Sequence, residues 1–133
     1  MAPPIGFIAH LGFNVGCVCL SVGLLGLGVA CMFAPEAAAQ LYGIPADATG
    51  AWVQVAGLRD LGLGCTALAL YCAQPSAMRV FAPTLLVIPV GDAALTFRYG
   101  SAFDALTHLV GTVAIAVLAA CAWLDPALKP KLE

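Results

Sequence analysis

Charge is what this sequence has least of: five basic and seven acidic side chains in 133 residues, of which 62% are hydrophobic. Water-soluble domains are about a quarter charged, so a chain this poor in polar groups cannot cover a globule. It also lacks a basic patch, its formal net charge being −2, and so has no electrostatic footprint for nucleic acid. No phosphate loop and no nucleophile motif is present. The six cysteines, Cys17, Cys19, Cys31, Cys65, Cys72 and Cys121, form no C-x-x-C pair and have no histidine at ligand spacing. That argues against a thiol redox enzyme and against structural zinc, and the cysteines read as small buried hydrophobes. Neither a cofactor nor a metal is expected.

Long apolar runs stand in place of the missing charge, and the mean hydropathy is +1.01. Spanning the hydrocarbon takes about 20 apolar residues. Four runs are long enough, at about 5–33, 52–72, 78–97 and 103–123. The expectation is an all-α polytopic membrane protein, a four-transmembrane-helix bundle with short loops, forming a single domain over 1–133 with the lipid bilayer as its principal partner. Pro35 and Glu36 stop the first run, Ile44–Gly50 make a turn, and Gln74–Ser76 and Arg98–Ser101 make the other loops. The segment from Pro35 to Tyr42, with Gly43 after it, reads as a turn or two of interfacial helix. Met1 to Pro4 carry no basic residue, so the first run is expected to be retained and not cleaved as a signal peptide. Arg79, Lys129 and Lys131 fall on the side of the termini and only Arg98 on the other, where the first loop adds Glu36 and Asp47. The positive-inside rule then puts the termini in the cytoplasm.

An ionisable group at depth in a bilayer is costly unless it is paired or faces a cavity, so the few such residues are the informative ones. At 1.5 Å per residue Arg59 and Asp60 lie about 12–14 Å in, Asp92 about 9 Å and His108 about 10 Å, all from the surface opposite the termini. Three helices thereby bring these four groups to one level. On the last helix Ser101, Asp104, His108, Gly111 and Thr112 follow three- and four-residue steps, and Asp104 stands one turn before His108, where a carboxylate can hold an imidazole in one tautomer. On the second helix Ala56, Asp60 and Gly64 form a small-residue stripe. Arg59 is turned about 100° from Asp60, so one of them is expected to face the cavity while the other bonds a neighbouring helix, with Asp92 the partner for Arg59. Pro83 and Pro89 are expected to kink the third helix before Asp92. Asn14 and the glycines Gly12, Gly16, Gly23, Gly26, Gly28, Gly57, Gly62 and Gly64 read as packing residues. His10, near the start of the first helix, is placed at the headgroups.

The stretch Gly57-Leu58-Arg59-Asp60-Leu61-Gly62-Leu63-Gly64, with Gly91-Asp92-Ala93 and His108, resembles the small four-helix membrane proteins of the DoxX-like group. The likeness is greatest to an uncharacterised fungal and bacterial family with a Gly-x-Arg-Asp signature, some of whose members sit near natural-product pathways. The resemblance implies the architecture, and the absent cysteine pairs set the chain apart from a redox carrier. From the residues, the expected function is acid/base chemistry on a hydrophobic small molecule, namely isomerisation, cyclisation or epoxide opening. His108, oriented by Asp104, serves as base or acid, Asp92 or Asp60 as its counterpart, and Arg59 tunes a carboxylate or stabilises negative charge. The same charges also suit a transporter or accessory subunit, or interhelical glue, and the glycine-rich faces leave self-association into a homo-oligomer open.

Overall fold

The computed structural model describes residues 4–41, 50–100 and 102–129. Four stretches are long and apolar enough to cross a membrane: Ile5–Phe33, Gly50–Ala73, Pro75–Tyr99 and Phe103–Leu124. They correspond to the four apolar runs of the sequence, and the chain is an all-α, multi-pass membrane protein. The elements are α1 (Ile5–Phe33), α2 (Pro35–Leu41), α3 (Gly50–Ala73), α4 (Met78–Leu85), α5 (Val87–Tyr99) and α6 (Ala102–Leu124). Short 3-10 turns at Pro75–Ala77 and Pro126–Leu128 precede α4 and follow α6. The first turn of α2 carries Glu36, where the exposed N–H groups favour an anion. Its expected stop at Tyr42 and Gly43, the Ile44–Thr49 part of the turn, Ser101, and the residues Met1–Pro3 and Lys131 lie outside the described residues.

The third crossing is built from two helices. A proline ring has no N–H and collides with the carbonyl four residues back, which for Pro89 is that of Leu85. The α-helical ladder accordingly stops at Leu85 and restarts at Val87, with the Leu86 N–H bonded at 3.3 Å to the Pro83 carbonyl three residues back. The expected interruption before Asp92 is therefore present, as an offset within one crossing.

Helix α1 is the hub. It packs along α3 on one side and α6 on the other; α6 in turn packs on α4 and α5, whereas α3 scarcely meets α5. The α1–α3 contact is a backbone seam. A Cβ on Gly28 would stand 2.8 Å from the Gly57 carbonyl oxygen, and one on Gly57 would stand 2.5 Å from Cys31 Cβ. Gly64 meets Leu25 in the same way, while Gly12 and Gly16 meet Cys121 and Leu118 of α6. Gly23, Gly26 and Gly62 have nothing within 4 Å of a built Cβ, so the reading of these three as packing residues is corrected. A glycine packs only where its turn faces another backbone, and these three face away. The buried stripe of α3 is Val53, Gly57, Asp60, Gly64 and Ala67, so that Gly57 takes the place expected for Ala56.

Two packed clusters hold the ends of the bundle. Phe13, Cys17, Met78, Ala82, Leu118, Ala119, Ala122 and Leu128 fill the end nearer the termini, and Cys31, Ala38, Ala39 and Val53 fill the other. Valines and leucines such as Val15, Val22, Val80, Val113 and Val117 point outward. In water such a surface would be a large apolar patch, but in lipid it is the solvated face. The cysteines divide between these environments: Cys17 and Cys31 are buried, whereas Cys19, Cys65 and Cys72 are exposed on the outer faces. The expectation of burial thus fails for the last three, because lipid accepts a small thiol as readily as the core does.

Candidate functional site

Between the two packed clusters lies a cavity of about 150 Å³. Every crossing lines it: Leu24 and Leu27 from α1, Arg59, Asp60 and Leu63 from α3, Leu85, Ile88, Pro89 and Asp92 from the broken third crossing, and Gly111 and Ile115 from α6. The Arg59 Nε donates to Asp60 Oδ1 at 3.0 Å and its Nη2 to Asp92 Oδ2 at 3.5 Å. The Asp60 side chain is 3% exposed and that of Asp92 26%, with Arg59 at 36% between them. One guanidinium thus bridges two carboxylates on different crossings, the nearer pair deep and the farther one more open.

The expected Arg59–Asp92 pair is present, but the expectation that Arg59 and Asp60 serve different places is overturned. The two Cα–Cβ bonds do diverge by about 100°. The arginine stem is long enough to curl back, so its fork reaches the neighbouring carboxylate and both groups line one cavity. Gly111 has open space where its Cβ would be, so the cavity reaches the α6 backbone itself.

His108 is buried, at 8% exposure, on the α6 face that leads one turn later to Gly111. Asp104 is half-buried a further turn toward the mouth. Both side chains are engaged by partners, and neither is among the described residues that line the cavity. The structure therefore gathers Arg59, Asp60 and Asp92 and leaves His108 and Asp104 beside them. Thr112 donates to the His108 carbonyl at 2.8 Å, a bond within the helix.

A second polar group, nearer the termini, was only partly foreseen. His10, whose side chain is 56% exposed, also has a partner within the fold. Its Nδ1 lies 2.8 Å from Oδ2 of Asp125, a residue just past α6 that is 1% exposed. Asp125 Oδ1 also accepts from the Ala127 N–H at 2.9 Å. Asn14 donates to the His10 carbonyl at 2.7 Å and accepts from the Tyr71 hydroxyl at 2.9 Å, which makes it interhelical glue as expected. Arg79 stacks on Trp123, with Cζ 4.4 Å from the ring centroid, and donates to the Leu128 carbonyl at 3.4 Å. The one sequence signal for Asp125 is its place before Pro126 at the end of an apolar run, where a carboxylate caps the next turn. Asp125→Ala is expected to cost about 1–3 kcal/mol, read as earlier unfolding in a denaturant titration, whereas Lys129→Ala, an exposed change, leaves the midpoint in place.

Among the described residues no group of three or more His, Cys, Asp or Glu side chains is arranged to hold a metal ion. The site is a guanidinium and two carboxylates at one end of an apolar chamber.

Four crossings with a charged constellation inside them define a small multi-pass membrane protein with an intramembrane polar site. The chain belongs to the family described as domain of unknown function DUF4267, whose model matches residues 21–124. That match holds every residue of the cavity and ends before Asp125. No curated protein and no solved structure matches the chain.

Proposed function

We propose that this protein is a membrane-embedded acid/base enzyme that isomerises, cyclises or opens an epoxide on a hydrophobic small molecule. One observation carries the reading: Arg59, Asp60 and Asp92 line an apolar cavity inside the bundle instead of being closed off in a helix interface. Glue would need no adjoining space, and charges at depth are a costly glue where hydroxyls suffice. Asp92, the more open carboxylate, takes a proton from the attacking hydroxyl or from the carbon beside the substrate oxygen. His108, beside the cavity and oriented by Asp104, is the counterpart that supplies a proton to the substrate oxygen as its bond to carbon breaks or its carbonyl is polarised. Arg59 holds both carboxyls in register and offers its donors to developing negative charge, while Asp60 anchors it. The protein is taken to lie near the DoxX-like membrane proteins and natural-product pathways, on its Gly-x-Arg-Asp and Gly-Asp-Ala segments, and to keep its termini in the cytoplasm. It folds as one domain over 1–133, and its glycine faces suit a homo-oligomer.

The purified protein in micelles, offered a panel of lipophilic epoxides and unsaturated ketones, tests the chemistry. Asp92→Asn and His108→Ala are each expected to lower turnover by about 10²–10⁴-fold. Asp92→Asn keeps the bundle's stability within about 1 kcal/mol, whereas His108→Ala, at a buried and partnered side chain, also costs about 1–3 kcal/mol. No turnover by the parent, with both variants unstable, assigns the charges to packing instead. Gly111→Leu fills the chamber from a position that meets nothing. It is expected to abolish turnover while leaving stability unchanged or raised by about 0.5–1 kcal/mol, and retained turnover would place the reaction elsewhere. Pro89→Ala, which restores the missing N–H, is expected to straighten the third crossing and slow amide exchange at Leu86 to Val90 while weakening ligand binding.

A further inference from the structure

The cavity is too small to enclose a whole lipophilic substrate, and its walls show where the remainder of one would lie. Ligand pockets that bury a drug-sized molecule hold about 300–1,000 Å³, whereas this one holds about 150 Å³, room for a ring or a short branched segment. Three of its sides are shut by close packing, α1 on α3, α1 on α6 and α6 on α5. The fourth, between α3 and α5, has almost no backbone contact and is crossed at the level of the site by the 3.5 Å contact from Arg59 to Asp92. Those are also the two polar groups of the cavity that remain partly exposed.

The polar groups of the lining sit at one depth. Counted from the helix ends opposite the termini, Arg59 and Asp92 stand about 14 and 10 Å in, level with Leu24 and Leu27 of α1, whereas the deeper wall, Leu63, Leu85 and Ile115 at about 20 Å, is wholly apolar. A molecule in the chamber therefore has its polar end toward the surface and its apolar end toward the midplane. An amphiphile dissolved in that leaflet already has this orientation. Charge narrows the class further, because one guanidinium faces two carboxylates. A third anion there would face uncompensated negative charge at low dielectric, while an uncharged hydroxyl, carbonyl or epoxide oxygen can accept from the arginine.

We propose that the cavity is loaded sideways from the lipid, through the seam between α3 and α5, by an uncharged oxygen-bearing lipophile whose polar end stops at the Arg59–Asp92 contact. The proposal rests on the reading above that the cavity takes a ligand. Asp92 is then the movable half of the contact: the arriving oxygen takes over the Arg59 donor that Asp92 holds at 3.5 Å, while Asp60 keeps the guanidinium in place.

Photolabelling of the full-length protein in phosphatidylcholine liposomes separates the outcomes. Three diazirine probes are used: a long-chain alcohol, the carboxylic acid of the same chain, and a membrane-impermeant sulfonated probe added from water. The alcohol is expected to label cavity residues Leu63, Ile88 and Ile115, and the acid on the order of tenfold less, with no cavity labelling from water. Gly111→Leu is expected to remove the cavity label while labelling at lipid-facing Val113 and Val117 persists as the internal control. Equal labelling by acid and alcohol overturns the uncharged class, and cavity labelling by the water-borne probe overturns loading from lipid. In both cases the cavity still takes a ligand. Absence of cavity label from all three probes overturns this inference together with the reading beneath it.

Discussion

Arg59→Ala is expected to destabilise the bundle by about 3–5 kcal/mol, the largest loss of any single charge removal in the chain. The reason is the residue left behind. Asp60 is 3% exposed, on the face of α3 that turns inward, and its carboxylate receives the Arg59 Nε at 3.0 Å. Removing the cation takes the neutralising charge from an anion that is buried away from water. Asp92→Asn removes charge from the other end of the same fork, where the contact is 3.5 Å and the carboxylate 26% exposed, so about 1 kcal/mol or less is expected. Unfolding in mixed micelles with increasing denaturing detergent measures both. Equal losses would mean that the two carboxylates share the guanidinium evenly, against the geometry. The contrast also serves function: a variant that keeps its fold while losing Asp92 is the one in which chemistry can be assayed.

Gly57→Leu is expected to break the α1–α3 seam, and with it the fold, whereas Gly62→Leu five residues later is tolerated. A Cβ at position 57 would stand 2.5 Å from Cys31 Cβ and 3.0 Å from the Gly28 carbonyl oxygen. Backbone has no rotamer by which to yield, so even Gly57→Ala is expected to cost about 1–3 kcal/mol. Gly28→Ala should behave alike, since its Cβ would meet Leu61 Cγ at 2.6 Å and the Gly57 carbonyl oxygen at 2.8 Å. Gly62→Ala meets nothing, and removing glycine's excess freedom is expected to stabilise α3 by about 0.5–1 kcal/mol. Midpoints for these alanine variants decide the matter, and a Gly57→Ala protein as stable as Gly62→Ala would refute the seam. Because α3 carries Arg59 and Asp60, a loosened seam also unsettles the constellation, so Gly57→Ala is expected to weaken ligand binding where Gly62→Ala does not.

Apolar runs of spanning length determined by themselves that this chain is a four-crossing helical membrane protein, because a bilayer leaves an α-helix little alternative over 20 apolar residues. Scarcity did the rest: with so few ionisable groups, counting helical rise was enough to put Arg59, Asp60 and Asp92 at one level, and Pro89 announced the interruption before Asp92. What the sequence could not decide was direction around each helix axis. Hydropathy is nearly uniform around a helix bathed in lipid, so no moment marks its inner face, and the glycines of the α1–α3 seam look in sequence like those that face outward. The reach of a flexible side chain is likewise invisible in sequence: helical geometry alone sends Arg59 and Asp60 to separate places, yet they share a cavity. Asp125 was overlooked because its partner, His10, lies at the other end of the chain. Only the tertiary structure closes such a distance, and only it shows that the charged residues of α3 and α5 meet across an open seam, with room beside them for another molecule.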